Sequence, residues 1–266
     1  MESKTVKSPI AWPGGKRLLL KHILPLIPPH KCYVEVFGGG ASVLLAKSPS
    51  EIEIYNDIDD NLVALFRNAK KHLDALLDEI DWTLNARQEL EDFKAQRGLT
   101  EIERVARWFI RNKISFGGQG ESFGTSKISG GGASLGSRGK RLQALRDLSA
   151  RLDHVCIENR SWEKLIPSFD APGTFFFLDP PYFSDGGSCY GAFKPADLRA
   201  LAAMLATIKG RWLLTFQDAP EAREIFAGHQ IIPIERQRLI ENRRGSGRTF
   251  REIIVTDQPD SAAIAA

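Results

Sequence analysis

The sequence predicts an α/β fold built on a mostly parallel, seven-stranded mixed sheet, and three observations carry that prediction. Seven short stretches are apolar or β-branched over four or five residues. Amphipathic stretches with apolar residues at three- and four-residue steps lie between several of them. The last two strand candidates are joined by the polar loop "NRRGSGR", which suits an antiparallel closing pair. Strands alternating with helices bury best as a sheet covered by helices on both faces.

The strand expectations, in order, are 32–36, 52–55, 155–158, 174–178, 212–216, 231–235 and 252–256. Helical periodicity runs through Leu62, Leu65, Phe66, Leu73, Leu76, Leu77 and Ile80, and again through Leu198, Leu201, Ala202 and Leu205 after Pro195. Between about residues 82 and 152 the alternation stops, leaving helices without a strand. There Ile102, Val105, Ala106, Phe109 and Ile110 make an apolar face, with Arg104, Arg107 and Arg111 opposite. Nine glycines follow between positions 117 and 139, too many for a packed core, and a helix from about Arg141 to Leu152 closes the segment. The expected organisation is a core domain of 1–81 plus 153–266, interrupted by a helical insertion at 82–152.

Composition narrows the class. At 266 residues and 42% hydrophobic, the chain has material for one large core, and no apolar run reaches the length of a membrane span. The first twenty residues lack the apolar stretch and cleavage site of a signal peptide. Cys32, Cys156 and Cys189 are widely spaced with no metal-ligand pattern; Cys32 and Cys156 read as buried thiols, and the expected setting is a reducing cytoplasm. The net charge of +3 hides two basic blocks. Residues 104–151 hold ten Lys and Arg against two acids, and residues 236–251 hold six arginines against Glu241, a distribution that points to a polyanionic partner.

Two motifs carry chemistry. In "CYVEVFGGGASVLLA" a strand runs into a glycine turn and a helix start, where the backbone can approach a ligand and the helix start offers N–H groups. Asp57 closes the next strand, nineteen residues after Gly38, where a carboxylate can accept hydrogen bonds from ribose hydroxyls. The second motif is "FFFLDPPYF": a strand buried on both faces, then Asp179, Pro180, Pro181 and Tyr182. Two prolines fix the backbone and lack N–H donors, so their carbonyl oxygens stay available beside the Asp179 carboxylate. Acceptors next to the tyrosine ring suit a planar amino group attached to a ring or an amide. They draw its nitrogen toward tetrahedral geometry, freeing the lone pair for methyl transfer, with orientation and preorganised dipoles supplying much of the acceleration.

In ordered combination these motifs resemble the Dam-like, alpha-group DNA adenine-N6 methyltransferases, including phage and prophage members. "WPGGK" at 12–16, "VEVFGGGAS", "YNDID" and "DPPYF" are similar to that family's motifs in its order, and the likeness covers nearly the whole chain. It implies a Rossmann-like class I methyltransferase core, S-adenosylmethionine as donor, no metal, double-stranded DNA as partner, and a monomer or weak dimer away from membranes. It places Trp12, Lys16, Glu35, Phe37, Gly38, Gly39, Gly40 and Asp57 at the cofactor, with Asp179 shared between cofactor and base. Asp179, Pro180, Pro181 and Tyr182 would bind and activate an adenine, which must leave the duplex because its amino group is inaccessible inside. Arg111, Lys113, Gln119, Lys127, Arg138 and Lys140 are candidates for phosphate or base contacts, as are Arg243, Arg244 and Arg248 in the closing loop. The likeness has one gap: where GATC-reading members carry an arginine, Glu121 and Ser122 stand here. Such a tetrad also serves RNA or cytosine N4 methylation, and a non-catalytic nucleic-acid-binding module is the reading from a different class.

Overall fold

The computed structural model describes residues 5–115, 118–124, 137–183, 193–237 and 249–257. Seven strands, β1 (Cys32–Glu35), β2 (Ile52–Asn56), β3 (Val155–Glu158), β4 (Thr174–Leu178), β5 (Arg211–Gln217), β6 (Gln230–Gln237) and β7 (Thr249–Thr256), form one mixed sheet in the order β3-β2-β1-β4-β5-β7-β6. Every expected strand is present. Backbone contacts divide the chain into two compact units, residues 1–24 with 38–160, and residues 25–37 with 161–266.

The first unit contains α1 (Leu20–Ile23), α2 (Ser42–Ala46), α3 (Asp60–Lys71), α4 (Leu73–Asp81), α5 (Arg87–Ala95), α6 (Glu101–Ile114) and α7 (Arg138–Arg151), with β2 and β3 parallel. The single apolar stripe from Leu62 to Ile80 is two helices, broken where His72 leaves helical geometry (φ −132°, ψ 40°). Asp59 caps α3 by accepting from the Asn61 and Leu62 N–H groups, and Thr100 with Glu103 forms a reciprocal capping box on α6. β3 is an edge strand on which only Val155 is buried. Cys156 is therefore exposed rather than a core thiol, and Cys32 is half-buried.

The second unit contains β1 with β4–β7, α8 (Trp162–Phe169), α9 (Pro195–Leu205) and α10 (Pro220–Ile225). β4 is buried at all five positions and pairs in parallel with β1 and β5, so it sits among apolar neighbours on both sides. β6 and β7 form the expected antiparallel hairpin. Pro233 lies in β6, the outermost strand, where its missing N–H costs the sheet little. No helix among the described residues is long and apolar enough to cross a membrane.

Candidate active site

The DPPY tip is fixed at the carboxyl end of β4. Register sets Glu35 beside Phe177, and the Val36 N–H donates to the Phe177 carbonyl at 3.0 Å. The chain leaving β1 toward the glycine turn therefore runs alongside the chain entering Asp179. Asp179 is half-buried, Pro180 is buried, and Pro181 and Tyr182 are half-buried. The Thr215 hydroxyl, fully buried on β5, donates to Asp179 Oδ1 at 2.9 Å. That bond occupies one lone pair and sets the plane of the carboxylate. The Tyr182 hydroxyl donates to Glu252 Oε1 at 2.5 Å, and its ring meets Phe216 edge-on at 5.2 Å. The Phe183 ring packs edge-on against Phe216 as well, at 4.8 Å. With ring and hydroxyl both engaged, the tyrosine keeps a fixed plane.

Sequence reasoning missed Thr215 and Glu252. Glu252 carried a signal, an acid inside the apolar run "FREIIV" that is buried on β7 beside Gln217. Thr215 carried none beyond being the polar residue in "LLTF". Glu35 is also buried and accepts the Tyr33 hydroxyl at 2.9 Å from the same face of β1.

In the first unit the glycine turn is wedged between two aromatic rings. A Cβ on Gly38 would lie 2.3 Å from the Tyr55 ring, and one on Gly39 (φ +49°) would lie 2.6 Å from the Trp12 indole nitrogen. Packing alone thus requires both glycines. The Gly38 N–H donates to the Asn56 carbonyl at 2.7 Å, and the Tyr55 hydroxyl donates to the Gly39 carbonyl at 2.8 Å. The helix after the turn, α2, has only five residues, so its end offers little dipole to a ligand. The Gly39 N–H is taken by Asp57 Oδ2 at 2.7 Å, while Asp57 Oδ1 accepts the Asp59 N–H at 2.9 Å. Burial outweighs these bonds and pushes the Asp57 carboxyl up to about 6. Two oxygens offer about four acceptor positions, and with the Ile58 N–H also bonded to this carboxylate about one remains at this half-exposed residue. Lys16 is buried rather than solvated, with its ammonium donating to the Gly14 carbonyl at 2.8 Å.

Comparison with known proteins decides the family. The sequence profile of the D12 class N6 adenine-specific DNA methyltransferases matches residues 12–240, most of the chain. The chain belongs to this family. Among curated relatives, the type II methyltransferase M1.LlaDCHI of Lactococcus lactis subsp. cremoris is 24% identical over 92% of this chain and 93% of its own length. Type II methyltransferase M.CviBI, from Paramecium bursaria Chlorella virus NC1A, is 24% identical over 94% of this chain and 97% of its own length. The DNA N-6-adenine-methyltransferase of Escherichia phage P1 is 22% identical over 88% of this chain but 33% of the phage protein. The protein is an enzyme of DNA adenine methylation, and DNA is its substrate.

The methyltransferase's basic candidates occupy different situations. Arg111 is half-buried, donating to the Gly120 carbonyl at 3.2 Å and lying 3.8 Å from Glu121, the acid standing in the sequence gap. The Lys113 ammonium sits 5.6 Å from the Phe109 ring centre, and burial followed by the nearby Arg141 charge lowers its pKa. Gln119 and Lys140 are exposed, and Arg138 is paired with Asp81. Lys127, Arg243, Arg244 and Arg248 lie outside the described residues.

Proposed function

We propose that this methyltransferase uses S-adenosylmethionine to methylate N6 of an adenine extruded from duplex DNA, with the DPPY tip as the catalytic element. The observation supporting this most strongly is the in-register pairing of β1 with β4, which runs the lead-in to the glycine turn beside Asp179. S-adenosylmethionine, when bound, supplies an electrophilic methyl group on a sulfonium. Its residues here are Trp12, Lys16, Glu35, Phe37, Gly38, Gly39, Gly40 and Asp57, together with Asp179. The acceptor position left on Asp57 fits a ribose hydroxyl, and Phe37, half-exposed just beyond β1, offers an apolar face.

The chain's own groups do the rest. Asp179 and the Pro180 carbonyl accept the two amino hydrogens, drawing the nitrogen out of conjugation with the ring. Tyr182, its hydroxyl tied to Glu252, presents a face on which the base stacks. Pro181 holds the tip rigid between them. Removing water from the tip strengthens each of these contacts. Residues 82–152 serve as the DNA-recognition insertion on a core of 1–81 and 153–266. The protein works in a reducing cytoplasm as a monomer or weak dimer, without a metal.

Incubation with S-adenosylmethionine and DNA, followed by single-molecule mapping of modified bases, is expected to show N6-methyladenine at one recurring sequence. Methylation at cytosine N4, or only of RNA, overturns the reading.

The Asp57 pKa gives a second expected outcome. Above about pH 7 the carboxylate is ionised and accepts ligand hydroxyls. Below about 6 its protonation weakens S-adenosylmethionine binding, approaching tenfold per pH unit. Folding has the opposite sign. An acid raised from 3.8 to about 6 gains the protein stability as pH falls through that window, so the loss of affinity is not unfolding at this group. Calorimetry between pH 5 and 8 checks this, with Asp57→Asn expected to bind weakly and without the pH dependence. A flat profile in the unsubstituted protein sinks the role.

A further inference from the structure

Four arginines converge on one small cavity in the first unit. Arg97, Arg104, Arg107 and Arg111 line it together with Phe93 and Trp108, and its volume is about 110 Å³. No carboxylate is among its lining residues. Arg104, Arg107 and Arg111 come from α6 at steps of three and four, so their side chains stand on one face of that helix. Like charges stacked this way repel, and the neighbourhood does little to neutralise them. The contacts Arg104, Arg107 and Arg111 make here include three neutral acceptors: Asn61 Oδ1 at 2.8 Å, the Gln96 carbonyl at 2.9 Å and the Gly120 carbonyl at 3.2 Å. Glu103 is close enough to act on Arg107, but its carboxylate accepts the Leu99 and Thr100 N–H groups to cap the helix. Glu121, 3.8 Å from Arg111, is mostly exposed.

Two further details suit the cavity to an anion. The Arg111 Nε is buried and has no hydrogen-bond partner among the described residues, a charged donor left unsatisfied. Arg97 makes no hydrogen bond or ion pair among the described residues, although it is exposed at the cavity rim. Meanwhile the Arg107 guanidinium carbon sits over the Phe93 ring, 5.3 Å from its centre, and the group donates to the Gln96 carbonyl, so it is already ordered. The cavity is well below the roughly 300 Å³ at which small-molecule sites begin. It suits a single compact anion, and guanidinium forks match phosphate oxygens in pairs.

We infer that this pocket clasps one backbone phosphate of the DNA substrate, anchoring the duplex by charge and not by sequence. The inference rests on the proposed DNA methyltransferase reading and adds to it Arg97, Arg104 and Arg107, which neither the motifs nor the family likeness assign. Because the contact is to a phosphate, its loss weakens all duplexes alike, whereas loss of a base contact weakens only the cognate one.

The test is the salt dependence of DNA binding by the full chain, measured without turnover on a duplex carrying the methylation site and on one lacking it. Arg97→Gln and Arg107→Gln are compared with the unsubstituted protein, with thermal melting as a check of folding. Arg97 is exposed and makes no hydrogen bond or ion pair among the described residues, so its substitution is expected to leave the fold intact. Each variant is expected to flatten the slope of log K against log salt by about 1 and to weaken both duplexes by a similar factor, of order tenfold near physiological salt. Unchanged slopes in both variants overturn the proposal, as does a loss confined to the cognate duplex. Inorganic phosphate is titrated alone as well. If it binds tightly and the variants abolish that binding without altering the DNA slopes, the pocket takes a free anion and the DNA assignment falls. Since binding is read without methylation, failure here is distinct from failure to find N6-methyladenine.

Discussion

Asp179→Asn is expected to remove methyl transfer almost completely, lowering kcat by about 10²–10⁴. The substitution keeps the size of the side chain and an oxygen for the Thr215 hydroxyl, so melting temperature should hold. It replaces one acceptor of the proposed contact with the amino group by an NH2 donor, which repels those hydrogens. The adenine nitrogen then stays conjugated and unreactive. S-adenosylmethionine affinity is expected to weaken by less than about tenfold, because the glycine turn and Asp57 remain. Radiolabelled methyl transfer at saturating DNA and calorimetry on the same preparation measure the two effects. An active Asp179→Asn enzyme refutes the tetrad's role, and complete loss of cofactor binding assigns Asp179 to the donor instead of the base.

Glu53→Gln is expected to destabilise the protein by about 3–5 kcal/mol, the usual cost of stripping one partner from a buried ion cluster. Glu53 is 3% exposed, and it receives the Lys47 ammonium at 2.5 Å and both Arg151 nitrogens at 2.5 and 2.9 Å. Arg151 also donates to the Leu44 carbonyl at 2.7 Å, so one carboxylate ties α2, β2 and α7 together. With glutamine in place, two buried cations lose their counter-charge. Urea unfolding measures the difference, and a loss below about 1 kcal/mol would put the cluster in the class of weak surface pairs. Acid has the same target. Burial raises the Glu53 carboxyl, but hydrogen bonds from Arg151 and Lys47 prevail and hold it below its ordinary 4.5. Its stabilisation is complete above that value and disappears as pH falls through the lower, folded one. A Glu53→Leu, Lys47→Met, Arg151→Met triple variant, which removes all three charges, is expected to recover much of the stability.

The sequence by itself determined the elements and the motifs. Apolar runs such as "TFFFL" and "WLLTF" have enough local density to announce buried strands, and proline, glycine and acid at a strand's end mark a tip built for something other than packing. Those are signals within a few neighbouring residues, where backbone geometry fixes which side chains share a face. Tertiary structure alone decided who meets whom across the chain. Thr215 reaches Asp179 from 36 residues away because β4 and β5 are parallel in one register, and Glu252 reaches Tyr182 from 70 residues away because β7 pairs with β5. A slip of one residue in either pairing would turn those side chains to the opposite face. The same holds for the four arginines: helical spacing aligned three of them, but only the packing of α5 and the chain following it against α6 added Arg97 to the cavity. It also buried Lys16 and exposed Cys156, because burial depends on which elements are neighbours and which strand is an edge, and local periodicity carries neither.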